Sequence, residues 1–380
     1  MVFLVNFARV VFAPLLEPLK HEFLVSDATI GLIASLVWLG SALPRIPTGY
    51  LLTRIERHYV VLGAGVVLTV AAGLTAFAPN VPLLAVGAFA MGISSAVYFI
   101  AANPLVSELY PNRVGRALGI HGTASQLAAA IAPVFVGVML TIVGWRGVLE
   151  LLAVAAAIVT VVFFIVARRT DLPDAGVADR DFLTAFRRQW PIILSGVAII
   201  GATGLVWNGL FNWYPSYISQ TKGLSLETGR TLLTVLFAAG VPAFWLTGRL
   251  ADRLPHVPLM LSILGGFIVC LVSLTLAQGL AAIVGISIVL GYVIHSLFPA
   301  LDTYLLDSLP DENRASAYAM YSGLAMIGQA GGSSLVGTLL DAQFAFDTIF
   351  RTLAVGLFAI LVVLFVLHRV NRLPTGAVTS

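Results

Sequence analysis

Arg9 and Arg45 stand inside long apolar runs, where a charge costs roughly 2.5 to 3.5 kcal/mol on insertion scales and needs a partner, a wet cavity or a task. Arg45, in Pro44-Arg45-Ile46-Pro47, lies nine residues before Arg54, about 13 Å along a helix, and Arg9 falls mid-way along the first run. Both are too deep to snorkel comfortably. Each offers a planar fork that holds a carboxylate through paired hydrogen bonds. A second set is Trp207, Asn208, Phe211 and Asn212: the two Asn residues, four apart, share a helix face with the two rings adjoining. That face reads as the amide and ring wall of a binding site, or as an interfacial aromatic belt with an Asn pair joining helices. A third set, Tyr292, His295, Pro299 and Asp302, follows steps of three, four and three and makes one helix stripe. Its His and Asp could take up and release a proton, Asp302 first; the plainer role for Asp302 is counter-ion to Arg45 or Arg253. Tyr98, Asn103, His121, Gln126, Tyr318, Tyr321 and Gln329 are further polar candidates that read equally as helix-packing contacts. Glu150, four residues after Arg146, is the expected helical partner of that arginine, and Glu17 is expected at an interface.

Several chemistries are missing. The chain has no His-Glu-x-x-His, no Gly-x-Ser-x-Gly, no acidic metal-binding pair within its apolar runs and no Gly-x-x-x-x-Gly-Lys-Ser/Thr. Its single cysteine, Cys270, lies in an apolar run without Cys/His spacing for a metal. No enzyme activity, metal or cofactor is expected. The net charge of +3 and pI of about 9.1 read as membrane orientation rather than nucleic-acid binding.

The elements that would carry these residues follow from composition. With 59% hydrophobic and 10% charged residues and a mean hydropathy of +0.98, a chain of 380 residues has too little polar surface to dissolve as a globule. The expected partner is the lipid bilayer, and the expected fold is all-α, with twelve transmembrane helices at 1–19, 28–53, 58–78, 82–107, 115–139, 145–168, 191–219, 226–251, 256–277, 280–307, 314–340 and 347–368. The organisation read from this is an N-terminal half over 1–168, a polar linker over 169–190 and a C-terminal half over 191–380. Arg54, Arg57, Arg113, Arg116, Arg168, Arg169, Arg180, Arg187, Arg188, Arg249, Arg253, Arg314, Arg369 and Arg372 fall on one side of the expected membrane. Lys20, Arg146, Lys222, Arg230 and Arg351 fall on the other. The positive-inside rule puts both termini and the linker in the cytoplasm of a cell-membrane protein. Met1 opens directly into an apolar run, with no cleavable leader, so either the start is truncated or the first helix is short.

The halves repeat at an offset of about 199 residues, pairing Gly49 with Gly248, Arg54 with Arg253, Gly92 with Gly291, Glu108 with Asp307 and Pro111 with Pro310. The segment Gly248-Arg249-Leu250-Ala251-Asp252-Arg253 resembles the cytoplasmic signature of the major facilitator superfamily, Gly-x-x-x-Asp-Arg. Its partner, Gly49-Tyr50-Leu51-Leu52-Thr53-Arg54, has Thr53 where the signature has Asp. With the doubled six-helix pattern, the polar linker and Gly144-Trp145-Arg146, the resemblance covers nearly the whole chain. It implies two six-helix pseudo-repeats and a secondary transporter that carries a small-molecule solute by alternating access, driven by a proton or other coupling ion and acting as a monomer.

In that family the first and seventh helices line a central cavity, and the repeat offset pairs Arg9 with Asn208. The resemblance then makes Arg9, Arg45, Gln126, Trp207, Asn208, Phe211, Asn212, Tyr292 and His295 the candidate substrate wall for a small organic anion, with Asp302 and His295 the proton site. Arg54, Glu108 and Arg116, with Asp252, Arg253, Asp307 and Arg314, become cytoplasmic latches; solvated loop charges are the plainer alternative. Gly115 with Gly119, and Gly328 with Gly332 beside Gly331, would let the fifth and eleventh helices approach neighbours closely and form the interface between halves. The fifth helix from Ala124 to Pro133 only loosely resembles the drug-antiporter signature, and Ala88 replaces the Arg that many antiporters carry four residues before Gly92. Arg45-Ile46-Pro47 resembles nitrate carriers, yet Phe244 occupies the repeat-related place. An exporter of amphiphilic compounds and a non-transporting sensor on the same fold remain the alternatives.

Overall fold

The computed structural model describes residues 1–170, 172, 182–251, 253–310 and 314–370, and describes only the backbone of Gly115, Phe244, Trp245, Gly248, Leu306, Asp307, Arg314 and Ala315. Asp252 and residues 171 and 173–181 of the expected linker lie outside the described residues. Helices are the only extended elements among them, as a bilayer demands of a chain whose backbone donors and acceptors must be satisfied within each segment. The chain forms two compact units, Met1–Arg180 and Asp181–Ser380.

The first unit contains α1 (Val2–Val10), α2 (Phe12–Phe23), α3 (Asp27–Ala42), α4 (Arg45–Leu51), α5 (Arg57–Ala76), α6 (Val81–Leu109), α7 (Val114–Ile142) and α8 (Gly144–Ala167). The first expected span is the pair α1–α2, bent by 46°. Pro14 explains the break, because it has no N–H to give the Val10 carbonyl and its ring crowds that oxygen. Pro44 and Pro47 divide the second span into α3 and α4 in the same way. Side-chain caps start the helices after short turns: Ser26 accepts from the Thr29 N–H at 3.3 Å and Asn80 from the Leu83 N–H at 3.0 Å. Gly144, at φ +68°, supplies the left-handed turn that reverses the chain between α7 and α8.

The second unit holds α9 (Phe182–Gly196), a π turn at Val197–Gly201, α10 (Ala202–Gln220), α11 (Leu226–Ala251), α12 (His256–Leu276), α13 (Leu280–Ser308), α14 (Arg314–Ala330), α15 (Gly332–Asp341) and α16 (Phe346–Arg369). The seventh expected span is α9 through α10, and the eleventh is α14 and α15, interrupted at Gly331. Among the described residues ten segments are long and apolar enough to cross a membrane, eleven with the bent pair. The helix at the remaining expected span, α11, has 26 residues and carries Glu227, Arg230 and Arg249.

The repeat is visible in packing as well as in residue type. A Cβ on Gly92 would overlap the Val37 carbonyl, and one on Gly291 would overlap the Leu236 carbonyl. Both members of the first pair lie 199 residues before their counterparts. Each unit thus joins its second span to its fourth through the same backbone contact. Gly332 meets the Leu205 carbonyl in a like manner and Gly328 faces Gly201, so these glycines bring α14 and α15 against the π turn and α10 within one unit. Gly119 differs from expectation: the space beside it is open.

Each unit also closes one end with ions. Arg146, at the start of α8, pairs with Glu22 of α2 at 2.6 Å, rather than with Glu150 one helical turn along, which is exposed. In the second unit Lys222 lies 3.8 Å from Asp347 of α16 and donates to the Thr275 carbonyl at 2.9 Å, while the Tyr217 hydroxyl donates to Asp347 at 2.7 Å. The acid sits on the earlier helix in one unit and on the later helix in the other.

Replacing Gly291 by Ala is expected to lower the melting temperature of purified protein by forcing α11 and α13 apart, at a cost of about 2 kcal/mol or more. Gly63, which has nothing within 4 Å of a Cβ, should tolerate Ala without loss in the same assay.

Candidate functional site

Arg9 occupies the last turn of α1 with its Cζ 4.2 Å from the Trp38 ring of α3 and 5.8 Å from the Phe99 ring of α6. Its Nε is buried without a hydrogen-bond partner, and it forms no ion pair among the described residues. The described acids of the first unit are engaged elsewhere or turned outward: Glu108 with Arg57, Glu22 with Arg146, Asp27 with Lys20, Glu56 with His58 and Glu17 with His21, while Glu150 is exposed. Arg45 donates from Nε to the Ser41 carbonyl at 3.1 Å and is near enough for its charge to oppose that of Arg9. Ring faces offset part of the cost of holding Arg9 here. The remainder makes this wall attractive to an anion. Beside it, the Tyr98 hydroxyl and His121 Nε2 share a hydrogen bond of 3.0 Å across α6 and α7, and Phe99 touches the rings of both. Gln126 is half-buried further along α7.

In the second unit, Trp207, Phe211, Phe237 and His295 form a cage from α10, α11 and α13, with ring centroids 5.4 to 5.9 Å apart. His295 is buried, shares a hydrogen bond of 2.7 Å between Nδ1 and the Gly291 carbonyl, and lies so flat on Gly240 that any side chain there would strike its ring. The stripe along α13 does not act as one surface. His295 looks to α10 and α11, whereas Asp302 accepts from the Tyr318 hydroxyl of α14 at 2.9 Å, and Tyr292 is half-buried.

The Asn pair is placed differently from the expected wall. Asn208 and Asn212 are each 1% exposed. Asn212 donates to the Asn208 carbonyl at 2.9 Å, and Asn208 Oδ1 accepts from the Ser333 N–H at 3.3 Å, beside the Trp213 Nε1 donation to the Ser333 carbonyl at 3.0 Å. These bonds join α10 to α15 where Gly332 lets the backbones meet, while Asn208 Nδ2 is buried with no hydrogen-bond partner among the described residues. Trp207 and Phe211 on the same helix belong to the ring cage instead.

The latch of the first unit also differs. Glu108 pairs with Arg57 at 2.9 Å, while Arg54 donates to the Tyr50 hydroxyl at 2.7 Å and lies over that ring. Arg57 begins α5 and so points from the helix end toward the end of α6; Arg54 precedes it in the turn. Arg116 and Arg253 are exposed. Asp252 and the side chains of Asp307 and Arg314 lie outside what is described. Residues missed by sequence reading are Trp38, Phe99, Phe237 and Arg57. The repeat offset held a signal for the rings, since it pairs Trp38 with Phe237 and Phe99 with Phe298. Among the described residues no group of three or more His, Cys, Asp or Glu could hold a metal ion.

Two helical units with charged and aromatic walls at membrane depth define a multi-pass membrane transporter. The family model of the Major Facilitator Superfamily matches residues 1–296, and the chain belongs to that superfamily. A "Probable sugar efflux transporter" of Mannheimia succiniciproducens is 25% identical over 387 residues, covering 100% of this chain and 94% of that protein. The "Gentisate transporter" of Corynebacterium glutamicum is 24% identical over 351 residues, covering 87% and 77%. A solved structure of a bacterial homologue of the human lysosomal transporter Spinster, inward-facing and occupied, matches with a TM-score of 0.76 at 18% identity, covering 98% of this chain and 95% of that one; it shares the fold. Membership in a family of transporters sets an enzyme aside.

A double-mutant cycle on Arg57→Gln and Glu108→Gln should return a coupling of about 0.5 to 1 kcal/mol in thermal unfolding, the range for a partly exposed pair. Arg54→Gln combined with Glu108→Gln should return none.

Proposed function

We propose that the protein carries a small organic anion across the cell membrane by alternating access, in symport with protons, as a monomer with both termini and the 169–190 linker in the cytoplasm. The observation that carries this reading is Arg9, whose Nε is buried and unsatisfied, with ring faces beside it and no acid paired to it among the described residues. Such a group is stabilised when a carboxylate arrives and docks on its fork. The nearby charge of Arg45 adds attraction, and Gln126 of the same unit is a polar group for the solute's remaining atoms. The name of the gentisate transporter, whose solute is an organic anion, agrees with this reading.

Exposure of the bound solute to one face of the membrane at a time supplies the alternation. Arg57 with Glu108 acts as the latch of the first half, and Arg253, Asp252, Asp307 and Arg314 as that of the second. The coupling proton is assigned to Asp302, whose bond to Tyr318 links α13 to α14, with His295 supporting the ring cage. A second reading, export of an amphiphilic compound, draws on the cage of Trp207, Phe211, Phe237 and His295 and on the relative named for sugar efflux.

Proteoliposomes with an imposed pH gradient and a panel of radiolabelled carboxylates test the first reading. Uptake of at least one acid should follow the gradient and fall at least tenfold in Arg9→Ala, the loss of a charge-assisted hydrogen bond. Asp302→Asn should abolish the response to the gradient while downhill exchange persists. No uptake of any acid, or uptake untouched by Arg9→Ala, would reject this site and turn attention to export.

A further inference from the structure

We propose that the Arg9 wall selects ring-bearing hydroxy acids of the hydroxybenzoate type, the carboxylate meeting Arg9 and the ring hydroxyl meeting His121. The proposal rests on the reading that Arg9 binds an organic anion, and it names the class of that anion.

Three features of one unit converge on it. The guanidinium of Arg9 lies over Trp38 and near Phe99, so an anion docked on it meets ring faces, on which a flat ring gains more contact than an aliphatic chain. The same Phe99 meets His121 edge to face, at 6.3 Å and 83°. One phenyl ring therefore adjoins both an unpaired cation and an imidazole. The third feature is the state of that imidazole. His121 Nε2 is held by the Tyr98 hydroxyl, and the two rings stack at 18°. Its Nδ1 makes no hydrogen bond among the described residues, and the side chain is half-exposed. Tyr98 is 5% exposed, so its hydroxyl meets the histidine rather than a ligand. That makes Tyr98 a positioning residue and His121 the group offered.

A phenolic hydroxyl both donates and accepts, so it satisfies Nδ1 in either tautomer of His121. A carbonyl or an ether satisfies one tautomer only, and a bare ring satisfies neither. An open polar edge inside a spanning helix thus favours the hydroxylated acid over its parent.

The test measures binding of benzoate, 3-hydroxybenzoate, 4-hydroxybenzoate and cyclohexanecarboxylate to the purified full-length protein by calorimetry. The expected result is that one hydroxybenzoate binds about tenfold more tightly than benzoate, with cyclohexanecarboxylate weakest. In His121→Phe, which keeps a ring, and in Tyr98→Phe, which frees the imidazole, the hydroxybenzoate-to-benzoate ratio should fall to near one; a purely structural role would weaken all acids together and leave the ratio alone. Equal binding of benzoate and both hydroxybenzoates by the unaltered protein overturns this inference and leaves the anion reading standing, even where a variant fails to fold. Binding of none of the acids overturns both.

Discussion

A guanidinium held away from water with aromatic faces and no carboxylate for company sets the terms for the first unit. Burying Arg9 is unfavourable by itself, and cation–π contacts offset only part of that, about 1 to 2 kcal/mol. From α1, the Arg9 side chain reaches Trp38 of α3 and Phe99 of α6, and the site needs both rings in place. Those helices reach their places because Gly92 removes the side chain that would hold α6 from α3. A backbone contact made by the smallest residue therefore sits upstream of the charge at the wall.

The two units answer the same geometric problem differently. At equivalent places under the repeat, Trp38 and Phe99 flank a charge, while Phe237 and Phe298 lie against His295. Arg9 corresponds to Asn208, whose Oδ1 accepts from the α15 backbone. The duplicated scaffold has kept its ring positions, and its polar chemistry has diverged. Each copy nevertheless keeps a buried N–H donor without a partner at this place, Nε of Arg9 and Nδ2 of Asn208.

The fold was legible because a bilayer imposes a length on every span, and apolar run lengths report it directly. What the runs do not report is where a span breaks. The bend at Val11 and the divisions at Pro44 and Gly331 came with proline and glycine cues that the length rule overrides, and the π turn at Val197–Gly201 follows no residue pattern we identify. Within the site, Arg9 stood out because a charge in an apolar run needs no partner to be noticed. Trp38 and Phe99 did not, because a ring among apolar residues looks like any other lipid-facing or core side chain until three separate helices meet. Asn208 and Asn212 were read by their shared face, and a shared face does not say whether it meets a solute or another helix. Glu108 was assigned to Arg54 by motif, whereas the start of α5 decides which arginine reaches it.

The paired ions that close one end of each unit differ in more than sign order. Arg146 and Glu22 are 41% and 42% exposed, whereas Lys222 is 3% exposed. Mobile electrolyte weakens an exposed pair within a Debye length of about 8 Å at physiological ionic strength and barely touches a buried one. Rising ionic strength therefore loosens α2 from α8 more than it loosens α10 from α16, where Lys222 is 3% and its partner Asp347 28% exposed, so one dissolved salt acts unequally on the two copies of the repeat.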